Sequence, residues 1–469
     1  MRKTKIICTI GPSSQTDEKI REIIEAGMNV ARCNFSHGDY AEQGEKVEKV
    51  RRISKELGKP VAVLIDTKGP EIRLGKFEEK IELIAGDQFI LTTDEVVGTA
   101  QRASVTYKNI LNDVEAGSKI LIDDGLIEMT VDEIKGNDII CTLNNSGPVS
   151  SKKGVNLPGA NLSMPFISDT DRADIEFGCE MKFDYLAASF VRCKDDILEV
   201  RKILDKYNSP MKIIAKIENM QGIKNLDEIL EVSDGIMVAR GDMGVEVPLE
   251  EVPIIQKMMI KKAIQKGKQV ITATQMLESM TKNPRPTRAE TTDVANAIYD
   301  GTTAIMLSGE SANGKYPIES VMTMSKIAAR TEADINYKGR FKKKIKAETL
   351  DITTAISHAT CLTAMQLKAA AIITVTMSGF TASMVSRYKP NLPIIACTTK
   401  EETYRQTALL WGTTPLMMDQ KETAEELFAE SVEASLRAGL IKKGDTIVMT
   451  AGVPLGISGK TNMIRVVEV

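Results

Sequence analysis

Eight short apolar runs, each breaking abruptly into polar or charged residues, constrain this chain more than any other feature. Strands are predicted at 5–10, 29–34 and 61–65, with helices over 17–26 and 40–57 between them, and the rhythm resumes with strands at 185–190, 213–217, 235–239, 269–272 and 304–307. The runs are apolar throughout rather than alternating, the pattern of parallel strands covered on both faces. Eight alternating strand–helix units are the number that closes a parallel barrel, whose chemistry sits on the loops after the C-terminal strand ends. The polar breaks fall where that geometry requires them: Thr9, Gly11 and Pro12; Arg32, Asn34, Ser36 and His37; Asp66, Thr67 and Lys68; Ser189 and Arg192; Lys216 and Glu218; Arg240 and Asp242; Thr274 and Gln275; Ser308 and Glu310.

The rhythm stops between the third and fourth strands. From about residue 71 to 165, short strands such as 119–122, 127–131 and 139–143, separated by Gly, Asn and Asp turns, predict a small all-β domain inserted into the barrel. After the barrel, a helix over 353–366, strands at 371–375, 393–397, 414–418 and 446–451, a helix at 424–438 and a last strand at 463–467 predict a second, open α/β domain. The expected fold is α/β: a (β/α)8 TIM barrel from 1–69 and 167–338, a small β-barrel lid from 70–166, and a C-terminal α/β domain for regulation or oligomerisation from 339–469. The basic run Tyr337-Lys338-Gly339-Arg340-Phe341-Lys342-Lys343-Lys344 between barrel and C-terminal domain reads as a solvated linker.

Composition narrows the partners. With 61 basic and 64 acidic residues the net charge is −3, so nothing draws the whole molecule to nucleic acid or a membrane surface, and an anionic ligand must be held locally. No apolar run approaches the roughly 20 residues of a membrane span. Seven cysteines without CxxC spacing, and no signal peptide, point to free thiols in a reducing cytoplasm, with neither disulfide nor zinc site. The 23 methionines fall within helices and strands, where Met fills core.

The chemistry concentrates in residues 211–244. One strand ends in Lys216-Ile217-Glu218, whose outer two residues share a face, and the next breaks into Arg240-Gly241-Asp242-Met243-Gly244. One ammonium and two carboxylates at neighbouring strand ends suit a hard divalent cation, Mg²⁺ or Mn²⁺, held partly by substrate oxygens. Arg32 can neutralise a phosphate, and Asn34, Ser36, Asp66 and Thr67 offer oxygens for a monovalent cation. His37 is one of only two histidines and reads equally as structural or catalytic. In the hinge, Arg73 is within reach of a nucleotide phosphate, and Lys153, on the insert's return, would meet phosphates if the insert closes over the barrel. Backbone donors around Asp242 and the Thr274 hydroxyl suit a carboxylate. Metal, phosphate-binding bases and a lid are what phosphoryl transfer between two anions needs, because neutralisation and positioning dominate that reaction.

With these residues in view, the chain resembles the pyruvate kinase family over essentially its whole length. The matching segments, in order, are Lys5 to Ser13, Arg32 to Gly38, Asp66 to Arg73, Ser151 to Gly159, Ile213 to Met220, Ala239 to Gly244 and Ala273 to Met280. The resemblance implies transfer of the phosphoryl group of phosphoenolpyruvate to ADP, giving pyruvate and ATP. It implies Glu218 and Asp242 as ligands of Mg²⁺ or Mn²⁺, and Asn34, Ser36, Asp66 and Thr67 as ligands of K⁺, with Glu71 the residue that accompanies K⁺ dependence. Arg32 and Lys216 would contact the transferred group, Gly241, Asp242 and Thr274 the substrate carboxylate, and Arg32, Asn34, His37, Arg73 and Lys153 the nucleotide. A water relayed through Thr274 is the first choice for protonating the enolate. The family is usually a homotetramer, and Thr376, Ser378, Gly379 and Thr381 resemble its loop for an effector phosphate, with the choice between a sugar phosphate and AMP open. Phe380 departs from the basic residue common in forms activated by fructose 1,6-bisphosphate. A phosphoenolpyruvate lyase or aldolase would share the barrel and metal but has no use for a nucleotide lid.

Overall fold

The structure, a computed structural model, describes residues 2–344, 351–454 and 459–469. Eight parallel strands close a barrel, in the order Lys5–Thr9, Val30–Asn34, Ala62–Asp66, Tyr185–Ala188, Lys212–Ile217, Gly235–Ala239, Gln269–Ala273 and Ala304–Leu307, with the last pairing back to the first. The expected strands are all present, and helices connect them on the outside.

The apolar runs divide by parity. Inward-facing Ile7, Val30, Leu64, Ala187, Ile214, Met237, Ala273 and Met306 belong to one fully apolar cluster inside the barrel, while their neighbours in sequence pack against the outer helices. Two residues further along six of the strands, on the same parity, come Thr9, Arg32, Asp66, Ser189, Lys216 and Ser308; on the sixth strand that position is the apolar Ala239, and the seventh strand leaves its parity after Ala273. Most of the polar rim is therefore the next inward-facing layer above the core.

The lower end of the barrel is stopped by the C-terminal domain. Leu409, wholly buried on a 3-10 turn (Thr407–Leu409), joins the cluster inside the barrel. Around it Lys5 Nζ donates to the Thr413 carbonyl at 2.7 Å, Tyr185 Oη to the Gln406 carbonyl at 2.7 Å, and Arg405 pairs with buried Asp184 at 2.8 Å. Burial, reinforced by the charge of Arg2, depresses the Lys5 amine to about 7, with Glu332 opposing.

The inserted domain is a seven-stranded sheet beside a two-stranded ribbon. Its sheet curls until its ends meet, through a bridge between Leu74 and Val105 and a bond from the Thr106 amide to the Arg73 carbonyl at 2.9 Å. The C-terminal domain is a five-stranded sheet in which four strands run parallel and Met463–Glu468 pairs antiparallel with Thr446–Ala451.

The basic connector departs from expectation. Tyr337–Lys344 is a helix, not a solvated linker, because Phe341 on it is buried, stacks on His358 with ring centroids 4.8 Å apart and meets Tyr388 at 6.1 Å. Tyr337, against Trp411 at 5.9 Å, adds a second anchor, and the basic sequence between the two rings only makes the segment look like tether.

Candidate active site

Lys216 stands at the centre of the barrel mouth. Its ammonium lies 3.1 Å from Asp66 Oδ1 and 3.1 Å from Glu218 Oε1, and donates to Ser189 Oγ at 2.7 Å. Burial works against this charge, but Asp66 and then Glu218 outweigh it and hold the ammonium well above the ordinary lysine value. Arg32 arrives from the second strand, with Nε 2.6 Å from Asp66 Oδ2 and a terminal nitrogen 2.9 Å from Thr9 Oγ1. Burial opposes ionisation of Asp66 as well, yet Arg32 and Lys216 together hold its carboxyl below the usual value.

Glu218 is wholly buried. Its Oε2 accepts from the Phe190 amide at 2.6 Å, whereas Oε1 has no well-directed hydrogen bond, since Lys216 lies close but off the bonding direction. Burial first, with the Asp242 carboxylate in support and Lys216 opposing, pushes Glu218 up to about 8. A buried carboxylate oxygen without a directed donor, beside a second carboxylate, is stabilised most by an added cation. Glu218 and Asp242 thus fit a divalent ion, and two carboxylates leave most of the six oxygens that Mg²⁺ takes to substrate and water.

Thr274 breaks strand parity. Its φ of +67° and that of Gln275, +51°, lie in a region costly for a β-branched residue. Three bonds hold the turn: Thr274 Oγ1 accepts from the Gly241 amide at 2.8 Å and donates to the Ala273 carbonyl at 2.6 Å, and Arg240 reaches the Thr274 carbonyl at 2.6 Å. Arg240 is fixed in turn by Asp293 at 2.6 Å. Two of the expected carboxylate donors, Gly241 and Thr274, are therefore bonded to each other, and an arriving carboxylate would replace that bond.

The monovalent-site candidates share two adjacent strand ends. Asn34 is the register partner of Asp66, its Oδ1 accepts from the Ser36 amide at 3.1 Å, and Thr67 is buried beside them. Glu71 pairs with Arg73 at 2.8 Å and Lys68 at 3.3 Å.

A cleft of about 760 Å³ separates lid from barrel. The lid lines it with Arg73, Lys153 and Asp124, and the barrel with Asp242, Asn219 and Phe190. Lys153 pairs with Asp123 at 2.8 Å, and Asn156 of the lid donates to Glu246 of the barrel at 3.0 Å. Of the residues expected to bind substrate, nucleotide or metal, only Asp242, Arg73 and Lys153 line the cleft; Arg32, Lys216, Glu218, Thr274 and the monovalent-site candidates do not, and Ser36 and His37 are exposed on the barrel lip. In the C-terminal domain, Thr376 Oγ1 accepts from the Gly379 amide at 3.0 Å, Thr381 meets Thr461 at 3.0 Å, and the Ser378 carbonyl accepts from Lys212 at 3.3 Å. The Thr376 hydroxyl thus closes the loop onto Gly379, and the Thr381 hydroxyl ties it to a distant segment.

Sequence reasoning placed Ser189 and Arg240 at strand ends without giving either a task. The parity of the inward-facing layer would have singled out Ser189. Nothing in the sequence marks the positive φ of Thr274.

Comparison with known proteins follows the same lines. Residues 1–321 match the family model described as pyruvate kinase, barrel domain, and residues 354–467 the one described as pyruvate kinase, alpha/beta domain. A pyruvate kinase of Clostridium acetobutylicum is 50% identical over 99% of both chains, and one of Geobacillus stearothermophilus is 50% identical over 99% of this chain and 80% of its own. The crystal structure of a pyruvate kinase from Cryptosporidium parvum superposes with a TM-score of 0.95 at 39% identity, covering 100% of this chain and 96% of the other.

Proposed function

Since the chain belongs to the pyruvate kinase family and so transfers the phosphoryl group of phosphoenolpyruvate to ADP, the final step of glycolysis, we propose how its own residues divide that work. The observation that carries the reading is Lys216 held at 3.1 Å from both Asp66 and Glu218, at the mouth of a barrel whose lid presents Arg73 and Lys153 to the same cleft as Asp242.

Phosphoenolpyruvate lies with its phosphoryl group against Lys216 and Arg32, and its carboxylate takes the Gly241 and Asp242 amides and the Thr274 hydroxyl. Glu218 and Asp242 would hold Mg²⁺ or Mn²⁺, which when bound would supply Lewis-acid neutralisation. Asn34, Ser36, Asp66 and Thr67 would hold K⁺, a second neutralising charge. Arg73 and Lys153 bring the ADP phosphates in with the lid, and Arg32, Asn34 and His37 meet them from the barrel side. As the β-phosphate oxygen of ADP attacks phosphorus, the bond to the enol oxygen breaks, and Lys216 offsets the charge that develops on the phosphoryl oxygens and the departing enolate. A water beside Thr274 then delivers the proton to carbon. A cytoplasmic homotetramer, with a sugar phosphate or AMP bound near 376–381, completes the reading.

The test measures pyruvate formed from phosphoenolpyruvate and ADP. Activity is expected to vanish with a divalent chelator, return with Mg²⁺ or Mn²⁺, and rise with K⁺; Glu218→Gln should reduce kcat by about a thousandfold or more. Full activity in K⁺-free buffer, or Glu218→Gln retaining the divalent response, would refute the assignment of these ligands. Fructose 1,6-bisphosphate, ribose 5-phosphate and AMP, added in turn, test the effector.

A further inference from the structure

We propose that Ser189 is the positioning residue for Lys216, the neutral anchor that holds the ammonium in place while its carboxylate neighbours serve other partners; the inference rests on Lys216 acting in the transfer. Ser189 is 1% exposed and sits just past the fourth barrel strand, on the inward-facing parity that follows Tyr185 and Ala187. Its Oγ is 2.6 Å from the Thr67 carbonyl and 2.7 Å from Lys216 Nζ. A hydroxyl has one proton, and of its two acceptors the Thr67 carbonyl at 2.6 Å is far closer than Asp66 Oδ1 at 3.4 Å, so that proton goes to Thr67 and a lone pair is left facing Lys216. The Ser189 amide also bonds Thr67 Oγ1 at 3.3 Å, so backbone and hydroxyl are both tied to Thr67.

The other two acceptors around the ammonium differ in kind. Asp66 is shared with Arg32, and the Glu218 contact lies off the bonding direction. Cations bound at either carboxylate would weaken its hold on Lys216. Ser189 also lies 3.4 Å from Asp66 Oδ1, a longer contact than its other two, and its contact with Lys216 is the shortest of the three around the ammonium. The next residue adds a second support from the same turn: Phe190, with φ of +57°, aims its amide at Glu218 Oε2. One turn thus locates both the site's cation and its most buried acid.

Two variants test this, each checked for folding by thermal melting. Ser189→Ala removes the hydroxyl, and Ser189→Cys keeps nearly its shape with a poor hydrogen-bonding group. Both are expected to lower kcat by about tenfold to a hundredfold, as displacements near 1 Å at a reacting centre do, and to leave KM for phosphoenolpyruvate and ADP within about threefold. Mn²⁺ affinity, titrated without substrates, should be unchanged, because Glu218 keeps the Phe190 amide, and the Ser189 hydroxyl bonds to Thr67, Lys216 and Asp66 rather than to either divalent ligand. If Ser189→Cys recovers what Ser189→Ala loses, the role is packing and the proposal fails. It fails equally if KM rises at constant kcat or if Ser189→Ala keeps kcat. Loss of the divalent and K⁺ response in the parent enzyme would instead strike at the ligand assignment and leave Ser189 as it stands.

Discussion

Asp66 accepts from Arg32 on one oxygen and forms an ion pair with Lys216 through the other, so one carboxylate lies between both cations of the mouth. Removing one member of a buried ionic group leaves its partners uncompensated, which costs about 3–5 kcal/mol. Asp66→Asn is therefore expected to lower unfolding free energy by about that amount in denaturant titration and to depress kcat strongly, since Lys216 and Arg32 then repel. A variant as stable as the parent would mean that solvent screens the two cations. At this scale the sequence was informative where strand parity holds: Arg32, Asp66 and Lys216 each stand two residues beyond an inward-facing apolar residue, and the structure places all three together. It was silent where the backbone leaves the strand. Thr274 and Gln275 depend on left-handed conformations held by Arg240 and the Gly241 amide, contacts between segments far apart in the chain.

Among elements, the lid hinge is the most constrained. Gly69 has φ of +75°, and a Cβ there would lie 2.8 Å from that of Ser189. Its amide donates at 3.0 Å to Asp171, which also closes the capping box of the helix Asp169–Glu180, so the outgoing hinge is tied to the start of a barrel helix. On the return side, Arg192 donates to the carbonyls of Leu162 and Met164 at 3.0 and 2.9 Å. Gly69→Ala combines left-handed strain, about 1–2 kcal/mol, with a clash against the turn that carries Ser189. It should lower the melting temperature by several degrees and kcat more than KM; a wild-type kcat would show that the turn yields without moving Lys216. The insert itself was legible because its Gly- and Asn-punctuated strands differ from the barrel's continuous apolar runs. The connector helix was not, because Phe341 is one apolar residue among basic ones and its partners, His358 and Tyr388, lie beyond it in the chain.

Across the whole molecule, the junction of barrel and C-terminal domain holds a lysine that is costly to charge. Lys5 has its folded value depressed to about 7 from 10.5, chiefly by burial and then by Arg2. A depressed value gives stability that is present above the unfolded value and lost as pH falls through the folded one. The loss therefore accrues between roughly pH 10.5 and 7, at about 1.4 kcal/mol for each pH unit crossed. Lys5→Met removes that titration, although it also forfeits the bond to Thr413. Its melting temperature relative to the parent should therefore improve as pH is lowered from 10 to 7; a difference that stays constant over that range would mean that Lys5 titrates normally. The order of the domains could be read from the sequence, but their fit could not, since nothing in the run Thr407-Ala408-Leu409 announces that its leucine belongs inside another domain. That leucine also bears on how the chain is made. A ribosome releases the eight barrel strands well before Leu409, so the nascent barrel emerges with its base open and must stay unsealed until most of the last domain has been translated.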